Sequence, residues 1–238
     1  MVSNRIQLTS RGLLAGLGTR IFLHHGDRIP AEGAVLMVSN HRSFLDPLVL
    51  MATVHRPIRF ACHPFMGQVP LLRETIDAVG AFPLDHRPKP FFRQAAGLLH
   101  RREMVGIFPE GAAPMLRRTP PDRVGSFHRG FAHLALRTPV RELVLLPVAI
   151  ASVEETCISS GIPIKVLSWF DPAEPQFDQP GWHPALVYRQ VNVLVGRPYW
   201  VKPQLQGQYR GRDAKAAVAD LTSYCKTEIA DLLRRGCL

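Results

Sequence analysis

The segment Asn40-His41-Arg42-Ser43-Phe44-Leu45-Asp46 sets an imidazole five residues ahead of a carboxylate. A histidine titrates near neutrality and can serve as a general base. A carboxylate on its far ring nitrogen fixes the tautomer and stabilises the imidazolium formed in turnover. Together they are the base-and-orienter half of a triad, without a nucleophilic serine. The same residues also read as a helix entry in which Ser43 or Asp46 is the N-cap and His41 a bystander. No Gly-x-Ser-x-Gly elbow occurs in the chain, which argues against a serine hydrolase.

Three further segments end in residue types that such a centre needs. Val105-Gly106-Ile107-Phe108-Pro109-Glu110-Gly111 runs from a strand-like stretch into a turn carrying a carboxylate and a glycine, or into a plain surface turn with a solvated Glu110. Gly80-Ala81-Phe82-Pro83-Leu84-Asp85-His86-Arg87 ends in an arginine, and Leu145-Leu146-Pro147-Val148-Ala149-Ile150 is an apolar strand that would close the site.

The elements that position these residues alternate along the chain. Strands are predicted over residues 34–38, 58–62, 78–84, 105–108, 143–150 and 187–195, with Pro147 implying an edge or a bend. Helices are predicted over 47–54, 91–102 and 127–136, and a last one is capped by Asp213, carries Val218, Leu221, Cys225, Ile229 and Leu232, and ends at Gly236. Residues 171–184, with four prolines, read as a loop. Near the start, Leu13, Leu14, Leu17, Ile21 and Phe22 fall on one helical face flanked by Arg11 and Arg20, suited either to a lipid interface or to packing on the domain. The expected fold is α/β: a largely parallel mixed sheet flanked by helices, with residues 1–32 an N-terminal amphipathic segment and 33–238 one domain.

Composition narrows the partners. Charged residues are 20% and the apolar set 46%, ordinary globular usage with enough apolar material for a core. The formal net charge is +10, and lysine supplies only five of the 29 basic residues (89, 165, 202, 215, 226), so 24 are arginine. Arginine grips phosphates bidentately, which points to an anionic partner: a phosphorylated small molecule, an anionic membrane or nucleic acid. Against nucleic acid, no zinc finger, basic zipper or RNA-binding aromatic pattern is present. Cys62, Cys157, Cys225 and Cys237 form no Cys-x-x-Cys pair, which argues for a reducing compartment and against a disulfide or zinc module. No run approaches the ~20 apolar residues of a spanning helix.

The four blocks, in order, resemble the glycerolipid acyltransferase family, which includes 1-acyl-sn-glycerol-3-phosphate (lysophosphatidic acid) acyltransferases: Asn40-His41-x-Ser43-x-x-Asp46, an aromatic strand ending at Arg87, Phe108-Pro109-Glu110-Gly111, and Pro147-Val148. The resemblance implies transfer of a fatty acyl group from an acyl-CoA or acyl carrier protein thioester to the free hydroxyl of a lysophospholipid, giving phosphatidic acid. It implies His41 as base, Asp46 as its orienter, and Glu110, Gly111, Ser43 and Arg87 around the glycerol-phosphate acceptor. Neither metal nor other cofactor is implied. Three departures bear on the acceptor, one being His63, where many members carry Lys after the second strand. Ala112-Ala113 stand where the family usually has Thr-Arg, leaving Arg117, Arg118 or Arg129 to replace a phosphate contact. His86 separates Asp85 from Arg87. Glycerol 3-phosphate or another lysolipid is therefore an alternative acceptor, and a catalytically silent lipid- or nucleic-acid-binding protein an alternative class. The expected location is the cytoplasmic face of an anionic membrane, peripheral and without a spanning helix.

Overall fold

The computed structural model describes residues 2–62, 82–83, 88–111, 119–165, 180–209 and 211–237. Val35–Ser39 (β2) is buried along its whole length. Leu36 and Val38 join the core on one face of the sheet, and Val35 and Met37 the core on the other. Coverage on both faces is what makes this strand read as an unbroken apolar run. β2 pairs in parallel with Met104–Ile107 (β5) on one side and with Leu143–Pro163 (β6) on the other. Ile58–Cys62 (β3) continues the parallel set beyond β5, followed by Phe82–Pro83 (β4).

Past β6 the direction reverses. Trp182–Val195 (β7) runs antiparallel to β6, and Arg20–His24 (β1) lies parallel to β7. Tyr199–Val201 (β8) pairs antiparallel with the start of β6. The strand order is β1-β7-β6-β2-β5-β3-β4, with β8 beside β6. Val2–Gly16 (α1) and Asp46–Thr53 (α2) cover one face. Pro88–His100 (α3), Gly130–Arg137 (α4) and Ala214–Gly236 (α6) cover the other, with the short helix Pro203–Gln208 (α5) beside them. The architecture is the α/β arrangement that the alternation predicts.

Several local expectations change. Pro147 lies inside the sheet, opposite Val38 of β2. The missing N–H does no harm there, because on its other side β8 ends at Leu145 and β7 begins at Val148. The Pro147 carbonyl faces that same gap and accepts Gly196 N–H at 2.8 Å. Ile21 and Phe22 belong to a strand, so the helical face drawn through residues 11–23 stops at Gly16. Asp213 stands at the N-cap of α6 without a capping side-chain bond. Residues 182–184 are strand, not loop. Of the strand expected at 78–84 only Phe82 and Pro83 are among the described residues, and of the loop at 171–184 only residues from 180 on.

Candidate active site

The carboxyl end of β2 delivers Asn40, whose side chain extends the ladder. Nδ2 donates to the Ile150 carbonyl at 3.0 Å, and Oδ1 accepts Ile150 N–H at 2.8 Å. Tied to β6 in this way, residues 41–46 turn across the end of the sheet and enter α2. Asp46, the first residue of α2, is fully buried. Its Oδ2 accepts His41 Nδ1–H at 2.8 Å, Arg42 N–H at 2.6 Å and Ser43 N–H at 2.9 Å. Its Oδ1 accepts the Tyr188 hydroxyl at 2.6 Å. A buried carboxylate is tolerable only when its oxygens find such donors.

With Asp46 accepting at Nδ1, that nitrogen carries the imidazole proton and Nε2 carries the lone pair. Among the described residues no hydrogen-bond partner meets Nε2. The His41 side chain is 11% exposed, so it is reachable from outside while Asp46 is not. Its ring stacks on Phe108, centroids 4.2 Å apart and planes 16° off parallel, and Phe108 stacks in turn on Phe60 at 5.3 Å. The His41 ring is thus fixed by a hydrogen bond at one edge and by an aromatic floor.

Glu110 is buried beneath the same loop. Its Oε1 accepts His41 N–H at 3.1 Å and its Oε2 accepts Gly125 N–H at 2.5 Å. Burial pushes its carboxyl above the ordinary range, and these two N–H groups pull it partly back. Gly125 is a close-approach glycine, since a Cβ there would stand 2.9 Å from Oε2. Gly111 has φ +64°, the left-handed turn that glycine adopts without strain, and its N–H donates to the Phe108 carbonyl at 3.2 Å.

His41, Asp46, Ser43 and Glu110 therefore share one hydrogen-bonded network, with Gly111 at its edge. The Ser43 hydroxyl donates to the Leu186 carbonyl at 2.6 Å and accepts Leu45 N–H at 3.1 Å, so its single proton is committed inside the chain. Arg129 is exposed at the start of α4, next to His128, whose N–H donates to the Pro109 carbonyl at 2.8 Å. Arg87 lies outside the described residues, as do His63, His86, Ala112, Ala113, Arg117 and Arg118. Among the described residues no three His, Cys, Asp or Glu side chains gather to hold a metal ion.

Three contributors escaped the sequence reading. Arg42 is buried and turned inward: NH2 makes a two-pronged pair with Glu155 at 2.8 and 2.9 Å, and NH1 donates to the Thr119 and Pro120 carbonyls at 2.7 and 3.1 Å. Tyr188 and the Phe60–Phe108 floor are the others. The aromatic character of Phe60 and Phe108 was a visible signal. Nothing local marks Tyr188, which meets Asp46 across 142 positions of sequence.

An imidazole with one nitrogen held by a buried carboxylate and the other unblocked, at the carboxyl end of a parallel sheet, is an arrangement suited to general-base chemistry. The chain belongs to the Acyltransferase family, whose model matches residues 20–151, more than half its length. It is 24% identical over 168 residues to a 1-acyl-sn-glycerol-3-phosphate acyltransferase of Borreliella burgdorferi, a match spanning 68% of this chain and 63% of that relative. In fold it is similar to the crystal structure of the 1-acyl-sn-glycerophosphate (LPA) acyltransferase PlsC from Thermotoga maritima. That likeness has a TM-score of 0.64 at 17% identity and covers 98% of this chain and 78% of that one.

Proposed function

We propose that this acyltransferase moves a fatty acyl group from an acyl thioester to the free hydroxyl of 1-acyl-sn-glycerol 3-phosphate, giving phosphatidic acid. The His41–Asp46 pair, 2.8 Å apart with Nε2 unblocked, carries the reading, and the relatives supply the acceptor class. His41 Nε2 takes the acceptor hydroxyl proton as the oxygen attacks the thioester carbonyl. The carbon–oxygen bond forms and the carbon–sulfur bond breaks. The imidazolium, stabilised by Asp46, returns its proton to the departing thiolate. The donor is already activated, so the chemistry calls for no acyl-enzyme. Glu110 braces the loop through His41 N–H, and each of its oxygens keeps a lone pair for an acceptor hydroxyl. Arg87 is assigned the acceptor phosphate by the family resemblance, with Arg129 supplementing it.

The acceptor and product both reside in bilayers, so the enzyme works as a peripheral protein at an anionic membrane surface. Among the described residues no helix is long and apolar enough to cross a membrane. The decisive test offers purified protein labelled acyl-CoA and acyl carrier protein with lysophosphatidic acid, glycerol 3-phosphate and neutral lysolipids. Phosphatidic acid made by the wild type and lost in His41→Ala supports the reading. A product on glycerol 3-phosphate alone replaces the acceptor, and no acyl transfer to any of them sinks it.

A further inference from the structure

We propose that Tyr188 is a positioning residue of this centre: its hydroxyl, acting through Asp46, sets the orientation of His41 and how firmly His41 holds a proton. The inference rests on the reaction proposed above for its kinetic readouts only. Tyr188 is fully buried among apolar side chains of the face covered by α1 and α2. Packing alone would be served there by phenylalanine. The hydroxyl instead reaches Asp46 Oδ1 at 2.6 Å, and among the described residues it is the one donor to that oxygen.

The local backbone is built to make this contact. The β6–β7 ladder shifts register between Ser152 and Glu154 and again between Glu154 and Glu155. Bulges of this kind re-aim side chains beside active sites. Here the shifts bring Glu155 and Tyr188 opposite one another, and both reach into the 41–46 loop, Glu155 to Arg42 and Tyr188 to Asp46. The Tyr188 carbonyl is itself held by the Thr19 hydroxyl at 2.7 Å.

The electrostatic consequence has a definite sign. The charged and titratable groups facing the pair are Tyr188 from β7, Glu155 from β6, Glu110 from the turn after β5, and Arg42 from the loop itself. Burial, and then Asp46, push the phenol well above its ordinary value, so it remains a donor across any working pH. Removing that donor concentrates charge on the carboxylate, which then holds the His41 proton more tightly. The carboxylate stays beneath Nδ1, because the Arg42 and Ser43 N–H groups still hold Oδ2, but it loses the bond that fixes its other oxygen. The free base would then form only at higher pH.

Tyr188→Phe keeps the ring and deletes the donor. We expect kcat to fall roughly tenfold or more with little change in KM for either substrate. The acidic limb of the kcat–pH profile should move up by about half a unit or more. Added to Asp46→Asn, Tyr188→Phe should cost almost nothing further, because both act through one contact. A folded Tyr188→Phe protein with an unmoved pH limb, or a loss that adds in full to that of Asp46→Asn, overturns the proposal. The His41 imidazole can also be titrated by NMR, which needs no turnover. A wild type without acyl transfer would thus sink the reaction while the imidazole midpoint still decides on Tyr188. Should Tyr188→Phe fail to fold, wild-type protein labelled with 3-fluorotyrosine, a stronger donor, replaces it. The other three tyrosines bond or stack elsewhere. The His41 midpoint must then fall, and an unchanged one overturns the proposal.

Discussion

In the proposed reaction two titratable residues, His41 and Asp46, define the chemistry; Asp46 is held by the Arg42 and Ser43 N–H groups and by Tyr188, and His41 by Asp46, Glu110 and the Phe108 ring. His41→Ala removes the proposed base and should lower turnover by roughly 10²–10⁴-fold in a folded protein. Asp46→Asn should be nearly as severe, since an amide can present its NH2 to Nδ1 and leave the wrong tautomer. Glu110 makes a separate prediction, on stability. Its folded-state pKa lies above its unfolded value. Its stabilising contribution is therefore complete below the unfolded carboxylate range, near about 4.3, and declines as pH rises through the folded value. Urea unfolding of wild type and Glu110→Gln at several pH values should show the wild type losing its relative advantage from about pH 4 upward. A difference that grows with pH would mean that the two N–H bonds outweigh burial. His41 and Asp46 were legible in the sequence because their spacing is local, and Glu110, 69 positions from His41, because it too follows an apolar strand. Tyr188 and Glu155 were not, because their partners are set by the ladder register between two strands and no spacing rule reports that.

At the scale of elements, the site is a loop gripped from three sides. β2 extends into it through Asn40, β7 holds Ser43 through the Leu186 carbonyl and Asp46 through Tyr188, and the turn after β5 holds the His41 backbone through Glu110. β5 also makes room for the aromatic floor. A Cβ built on Gly106 would overlap the Phe60 ring, which carries Phe108, which carries His41. Gly106→Ala should therefore displace Phe60 and cost about 1–3 kcal/mol in denaturant unfolding, the usual penalty of overpacking. Turnover should fall as well, although residue 106 touches neither His41 nor Asp46. Wild-type turnover in that variant would show that the stack is not needed to align the base. The parallel core strands β2, β3 and β5 were found from their apolar runs to within a residue. The length of β6 and β7 was not, since beyond Ala151 the chain reads Ser-Val-Glu-Glu-Thr, a polar segment that becomes strand because it pairs with β7. Pro147 misled for a related reason: a proline forbids only the side of a strand where an N–H is wanted, and here that side is the gap between β8 and β7.

For the molecule as a whole, α1 is turned unusually. Gln7, Ser10 and Leu14 face the domain, and Gln7 and Arg11 donate to the Ala52 carbonyl. Leu13 and Leu17 are 55% and 43% exposed, and Leu8 is exposed too. A water-facing helix normally shows the reverse pattern. The end of α1 leads to Thr19, which bonds the Tyr188 backbone, so Leu17 lies at the end of the sheet that holds His41. Phe44, inside the 41–46 loop, is exposed at that end as well. An apolar rim around the mouth of the site, on a protein of net charge +10, suits docking of that mouth on an anionic bilayer. Each basic residue near such a surface adds about 1 kcal/mol, fading within a Debye length of about 8–10 Å, so several together give attachment that salt reverses. Leu14 is wholly buried and belongs to the core, so the membrane test must spare it. Leu13→Asp with Leu17→Asp should leave the fold and the acylation of a short-chain soluble acceptor intact while weakening cosedimentation with vesicles rich in anionic phospholipid. Leu14→Asp should instead lower the unfolding midpoint sharply, because it buries a carboxylate with no partner provided for it. If the double variant binds vesicles as wild type does, α1 is not the docking element, and the contact falls to Phe44 and to the exposed Ile158 and Trp182 of the β6–β7 arm.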